Sequence, residues 1–134
     1  MANFPPLPCS KILFRAVLHA SQIGKDGKPK WQVFKRLEKD KDGVSLFITV
    51  ENASQGLKDP IAGMSSVHVG RVRDVSDGDD KIEVEQDEEF HALILGIPYI
   101  WDKVGAEREN LDVKMTFLCR RIAENAARLL TTNE

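Results

Sequence analysis

The stretch Val44-Ser-Leu-Phe-Ile-Thr-Val50 constrains the fold more than any other. Its β-branched and aromatic residues alternate, so that Val44, Leu46, Ile48 and Val50 share one face, opposite Ser45, Phe47 and Thr49. A strand with so clean an apolar face has to lay it against a second layer. The end of the chain supplies that layer. Leu111, Met115, Leu118, Ile122 and Leu129 keep helical spacing with Ala126 close to the same stripe, and Arg120, Arg121, Glu124 and Arg128 fall on other faces. Asn110 or Asp112 is placed to cap the start of this helix.

The remaining segments read as partners of that strand. Lys11–Leu18 is a short apolar run interrupted by Arg15 and is expected to be a strand. Gly24, Asp26-Gly27 and Pro29 make Gln22–Lys30 a loop or hairpin tip. Trp31, Phe34 and Leu37 predict a short amphipathic helix. Asp40-Lys-Asp-Gly43 is a turn that launches the next strand. It is not a calcium loop, because placing Gly43 at the loop's glycine puts Thr49 where a bidentate glutamate is required. A helical turn beginning near Asn52 is limited by Gly56 and Pro60. Met64–Val75 is expected as a strand, Ser76–Asp80 as an acidic turn, Lys81–Glu85 as a short strand and Gln86–Glu89 as an acidic loop. Phe90–Pro98, nearly all apolar, reads as a central strand. The fold class is therefore α+β: a mostly antiparallel sheet of about five strands with a long C-terminal helix packed on one face. No repeat or linker divides residues 1–134, a single domain whose residues 1–10 form an extended proline-rich arm.

A chain of 134 residues can bury a real core. Its formal net charge of −2 argues against non-specific nucleic-acid binding as its main work, while leaving room for a small local basic face. No apolar run reaches the roughly 20 residues that span a bilayer, and Met1–Cys9 lacks the pattern of a signal peptide. Cys9 and Cys119 are expected as two reduced thiols in a cytoplasmic setting.

The densest run of unusual side chains is Gly63-Met-Ser-Ser-Val-His-Val-Gly-Arg-Val-Arg73. Read as a strand, it sends Val67 and Val69 one way and His68 the other. Gly70 breaks the alternation, which predicts a bulge or a close backbone approach. Past that slip Arg71 and Arg73 share a face. A bulge would gather His68 toward them and toward His91, at the mouth of the Phe90–Pro98 strand. Arginine forks suit phosphate and carboxylate, so His68, Arg71, Arg73 and His91 form the candidate binding residues; a solvated strand face paired with nearby carboxylates is the plainer alternative. His19, His68 and His91 have no metal-ligand spacing. Ser65 and Ser66 lack a nucleophile elbow, and no phosphate-binding glycine loop is present. No metal or cofactor is expected.

Asp40-Lys-Asp-Gly-Val-Ser-Leu46, the Gly63–Arg73 run and His91-Ala-Leu-Ile-Leu-Gly-Ile-Pro98 together resemble a family of small uncharacterised bacterial proteins with the same three signatures in the same order. That family has no established activity to transfer. A fainter resemblance links Leu13-Phe-Arg15, Gly43-Val-Ser45 and Ala53 to the ADP-ribosyltransferase and RNA 2′-phosphotransferase superfamily. It implies Arg15 and Ser45 as dinucleotide-holding residues and Glu85 as the nearest candidate for a catalytic glutamate, although no nicotinamide-clamping aromatic follows. Two functions are thus expected: a binding or regulatory protein whose Arg/His face takes an anionic small molecule or a protein partner, a second copy of itself included; or a transferase acting on a nucleotide or RNA end.

Overall fold

A computed structural model describes residues 4–55, 63–77 and 80–129. The elements, in chain order, are β1 (Ile12–Ala16), β2 (Val44–Phe47), α1 (Val50–Ser54), β3 (Met64–His68), α2 (Val69–Arg73), β4 (Ser76–Asp77), β5 (Asp80–Lys81), β6 (Glu83–Glu88), β7 (His91–Leu95), α3 (Gly105–Glu124) and β8 (Ala127–Leu129). Among the described residues, six strands form one antiparallel sheet in the order β6-β7-β2-β1-β3-β8, and β4 pairs with β5 as a separate ribbon. The chain is α+β, an antiparallel sheet with a long helix near its C-terminus.

The register sorts the side chains. Val44, Ile94 and Val84 lie in one row across β2, β7 and β6, and Leu13 faces Val67 between β1 and β3. All are buried, and they share one hydrophobic cluster with Met115, Leu118, Cys119 and Ile122 of α3 and with Val33 and Phe34. Of the stripe predicted for the last helix, Met115, Leu118 and Ile122 are buried and Leu111 is partly buried. Gly43 permits β2 to start hard against β7: its φ is +146°, and a Cβ there would stand 2.8 Å from the carbonyl oxygen of Ile94.

Several boundaries differ from expectation for identifiable reasons. Trp31–Phe34 is a 3-10 turn, not an amphipathic helix, because Lys35 is already extended. Arg36 then donates to the carbonyls of Asp40, Lys41 and Ile97 at 2.6–2.8 Å. The expected strand Val44–Val50 stops at Phe47, where Thr49 turns the chain by accepting from Asn52 N–H as the cap of α1. The acidic segment Gln86–Glu88 is strand, not loop. It lies on the edge strand β6, where charged residues are tolerated, with a bulge between Gln86 and Glu88. Helix α3 begins at Gly105, ahead of Asn110 and Asp112, and ends at Glu124. Leu129 therefore belongs to β8, a short strand beyond the helix that pairs with β3 and raises the strand number to six. The expected features at Gly56, Pro60 and Gly78-Asp79 lie outside the described residues.

Leu118, fully buried between helix and sheet, is the clearest probe of this packing. Leu118→Ala is expected to cost about 2–5 kcal/mol in chemical denaturation; an unchanged midpoint would show that this face of α3 is not the one that covers the sheet.

Candidate functional site

The run that began as one expected strand is two elements. β3 ends at His68, and Val69–Arg73 is a single turn of helix. The helix burial pattern is already present in the sequence, since Val69 and Val72 are both buried at a spacing of three. Ladder bonds that a longer strand would make are taken by the N-terminal arm: Val69 N–H donates to Lys11 and Gly70 N–H to Cys9, both at 2.9 Å. Gly70 is therefore not a bulge but a place of close backbone approach. A Cβ there would lie 2.8 Å from the Cβ of Cys9 and 3.1 Å from its carbonyl oxygen.

This change of element separates the two arginines, because residues two apart on a helix point about 200° away from each other. Arg73 turns inward to the arm. It donates to Glu83 Oε1 at 2.5 Å, to the Leu7 carbonyl at 2.6 Å and to the Val84 carbonyl at 3.1 Å. The bond to Glu83 raises the Arg73 pKa. Glu83 is held below the usual carboxylate range, first by the Val84 N–H and then by Arg73. The anion that Arg73 needs is thus part of the protein. Arg71 faces the other way and lines an open depression of about 440 Å³ with Cys9, His68, Gly70 and Asp74. Neither Arg71 nor His68 has an ion-pair partner among the described residues.

His91 does not join them. β7 is separated from β3 by β2 and β1, a span of about 14 Å at ordinary strand spacing. The His91 ring bonds Asp87 through Nδ1 at 2.7 Å and meets Phe47 edge-on at 5.2 Å. Of the four proposed binding residues, the structure brings together His68 and Arg71, and occupies Arg73 and His91 with contacts of the fold.

The second constellation is also divided. Arg15 and Ser45 line a cleft of about 250 Å³ where β1 and β2 part. The Arg15 guanidinium has little freedom there, since it donates to the carbonyls of Val33 at 2.6 Å and Ser45 at 2.7 Å and lies 3.5 Å from Asp40 Oδ2. Burial lowers its pKa and Asp40 pulls it back up. Glu85 is exposed on β6, in the row Ser45–Leu93–Glu85. That places it two strands from Ser45, about 10 Å.

A third feature was not anticipated from the sequence. The loop after Gly24 and the C-terminal half of α3 border an open groove of about 780 Å³, lined by Lys25, Lys28, Lys30, Trp31 and Arg120 among others. Three lysines in a loop are an ordinary solvated turn; the fold adds Arg120, 89 positions along the chain from Trp31, to the same groove. Among the described residues, no group of three or more His, Cys, Asp and Glu side chains is arranged to hold a metal. Nor is any helix long and apolar enough to cross a membrane. Comparison of the chain with protein-family models, with curated proteins and with solved structures finds no match.

Arg15→Ala strands the buried Asp40 carboxylate and two carbonyls, and is expected to cost about 3–5 kcal/mol; denaturation indistinguishable from wild type would mean that Arg15 is dispensable to the fold. The two free thiols should also differ. Cys9 is exposed, whereas Cys119 is buried, bonds the Phe34 carbonyl at 3.2 Å and has its pKa pushed up by burial to about 12. Alkylation of the native protein should modify Cys9 alone, and denaturation without reductant should release the second equivalent. Above the ordinary thiol pKa the unfolded chain gives up the Cys119 proton while the folded one keeps it. Stability contributed by this group is therefore intact below pH 9.0 and lost as pH rises toward about 12. A Cys119→Ala variant should lack that share of the alkaline loss; identical alkaline profiles would contradict the assignment.

Proposed function

We propose that this protein is a small binding or regulatory domain that takes an anionic ligand in the depression formed by His68 and Arg71. The observation that carries the reading is the division of labour between the two arginines of α2. Arg73 is paired with Glu83 and with the Leu7 and Val84 carbonyls, while Arg71 stands beside His68 with no ion-pair partner among the described residues. A planar guanidinium next to an imidazole offers several donors to one oxyanion. The adjacent Asp74 carboxylate would repel a weakly bound anion and so favours one that engages both the guanidinium and the imidazole. The two free thiols support a reducing, cytoplasmic setting.

A transferase acting on a nucleotide or RNA end takes second place. The cleft lined by both Arg15 and Ser45 is in its favour; the commitment of the Arg15 donors to backbone carbonyls and the distance of Glu85 weigh against it.

The test uses inorganic phosphate and a panel of small dicarboxylates. At a hundredfold excess over Kd the stabilisation is about 2.7 kcal/mol, several degrees in Tm. It should diminish with salt, because exposed charges are screened. Cys9 lies in the same depression, so a bound anion should also slow its alkylation. His68→Ala with Arg71→Ala should remove both effects without lowering the Tm of the free protein. If no anion in the panel shifts the wild type, or if the double variant responds in full, the reading fails.

A further inference from the structure

We propose that the groove between the Gly24–Lys30 loop and α3 is a second, separate site, which binds a short single-stranded nucleic-acid segment. It shares no lining residue with the His68–Arg71 depression.

The loop is a defined scaffold. Gly24 N–H donates to the Lys28 carbonyl at 2.8 Å, Lys30 N–H to the Gln22 carbonyl at 2.7 Å, and Lys28 N–H to Asp26 Oδ1 at 3.0 Å, while Ile23 bridges Pro29. Lys25, Lys28 and Lys30 are exposed on it, and none has an ion-pair partner among the described residues. Across the groove stands Arg120. Lys25, Lys28, Lys30 and Arg120 set four positive charges against the two carboxylates in the lining, Asp26 and Glu124, a local excess of two in a chain whose net charge is −2. Both carboxylates are engaged: Asp26 with the loop backbone, and Glu124 3.9 Å from Arg121.

Trp31 gives the groove its second chemistry. It is part exposed and packs against the core. The Arg120 guanidinium sits 6.0 Å from the ring centroid, the outer limit of a cation–π contact. A base sliding against the indole therefore displaces little. Cations that track a backbone, beside an aromatic ring that accepts any base, are the elements of sequence-tolerant single-strand binding. A duplex, with its bases stacked inside, would leave Trp31 unused.

The experiment is fluorescence anisotropy with a labelled oligothymidylate of about eight nucleotides, within the usual site size for such grooves. Binding is expected at about 50 mM salt. With four phosphate contacts, affinity should fall about 50-fold on going to about 200 mM. Lys25→Glu with Lys28→Glu should weaken binding at least tenfold and flatten the salt dependence, with an unchanged melting temperature. Trp31→Phe should abolish the quenching of tryptophan emission that accompanies binding. His68→Ala with Arg71→Ala should bind the oligonucleotide as wild type does, which separates this site from the one proposed above. The inference is overturned by any of four results: no anisotropy change at low salt, binding indifferent to the charge reversals, a duplex bound as tightly as the single strand, or low-salt self-association that the reversals abolish while the oligonucleotide stays free. The last would assign the groove to the acidic edge strand of a second copy.

Discussion

The Arg15 guanidinium holds together parts of the structure that strand pairing connects sparsely or not at all. β1 and β2 share a single register pair, Phe14 with Phe47, and then part. The Ser45 carbonyl, which faces the gap, would otherwise be unpaired, and a buried carbonyl without a donor is costly. Arg15 reaches it, and with its remaining donors takes the Val33 carbonyl and approaches Asp40. One side chain thus links β1, β2, the 3-10 turn and the loop before β2. Asp40 is fixed in turn by accepting from Leu37 N–H at 2.9 Å. Lysine would not serve, because a single ammonium cannot span acceptors on three separate segments as a planar fork does.

The same device recurs. Arg36 ties the loop to Ile97, across which Trp101 Nε1–H returns a bond to the Arg36 carbonyl at 2.9 Å. Arg73 ties the arm to β6 through Leu7 and Val84. Each of these arginines closes a segment that has few backbone bonds of its own. This use of arginine decides which cations remain for binding: a guanidinium already saturated by carbonyls has no donors to offer a ligand, whatever its sequence neighbours suggest. Among the described residues, Arg71 and Arg120 have no such carbonyl contact, and both line open depressions.

That distinction explains what the sequence could and could not disclose. The core face of β2 and the α3 stripe were legible because hydrophobic period is a local property, and Val44, Leu46, Met115, Leu118 and Ile122 are all buried. The β3–α2 junction was misread because Val67 and Val69 satisfy a strand period, while Val69 and Val72 satisfy a helical one. The choice between them rests on the arm, whose Cys9 and Lys11 carbonyls lie some sixty positions away. Gly70 did announce a close approach, but not its partner. The grouping of His68 with His91 failed for a topological reason: β1 and β2 insert between their strands, and strand order is set by long-range pairing.

Net charge sums over sets of charge that lie apart in the fold. Residues 25–41 carry seven basic and three acidic side chains, whereas residues 83–89 carry five acidic and no basic ones. β6, which bears most of the second set, lies three strands from β1, about 14 Å at ordinary spacing. The Debye length at physiological ionic strength is about 8 Å. A mobile anion at the lysine loop therefore responds to the lysines and scarcely to the distant glutamates, although the two sets offset one another in the total. Removing the acidic set would change the isoelectric point and leave the groove's field at that salt nearly as it is. Only at low ionic strength, where screening extends far enough to couple them, should the acidic edge weaken polyanion binding at the basic groove.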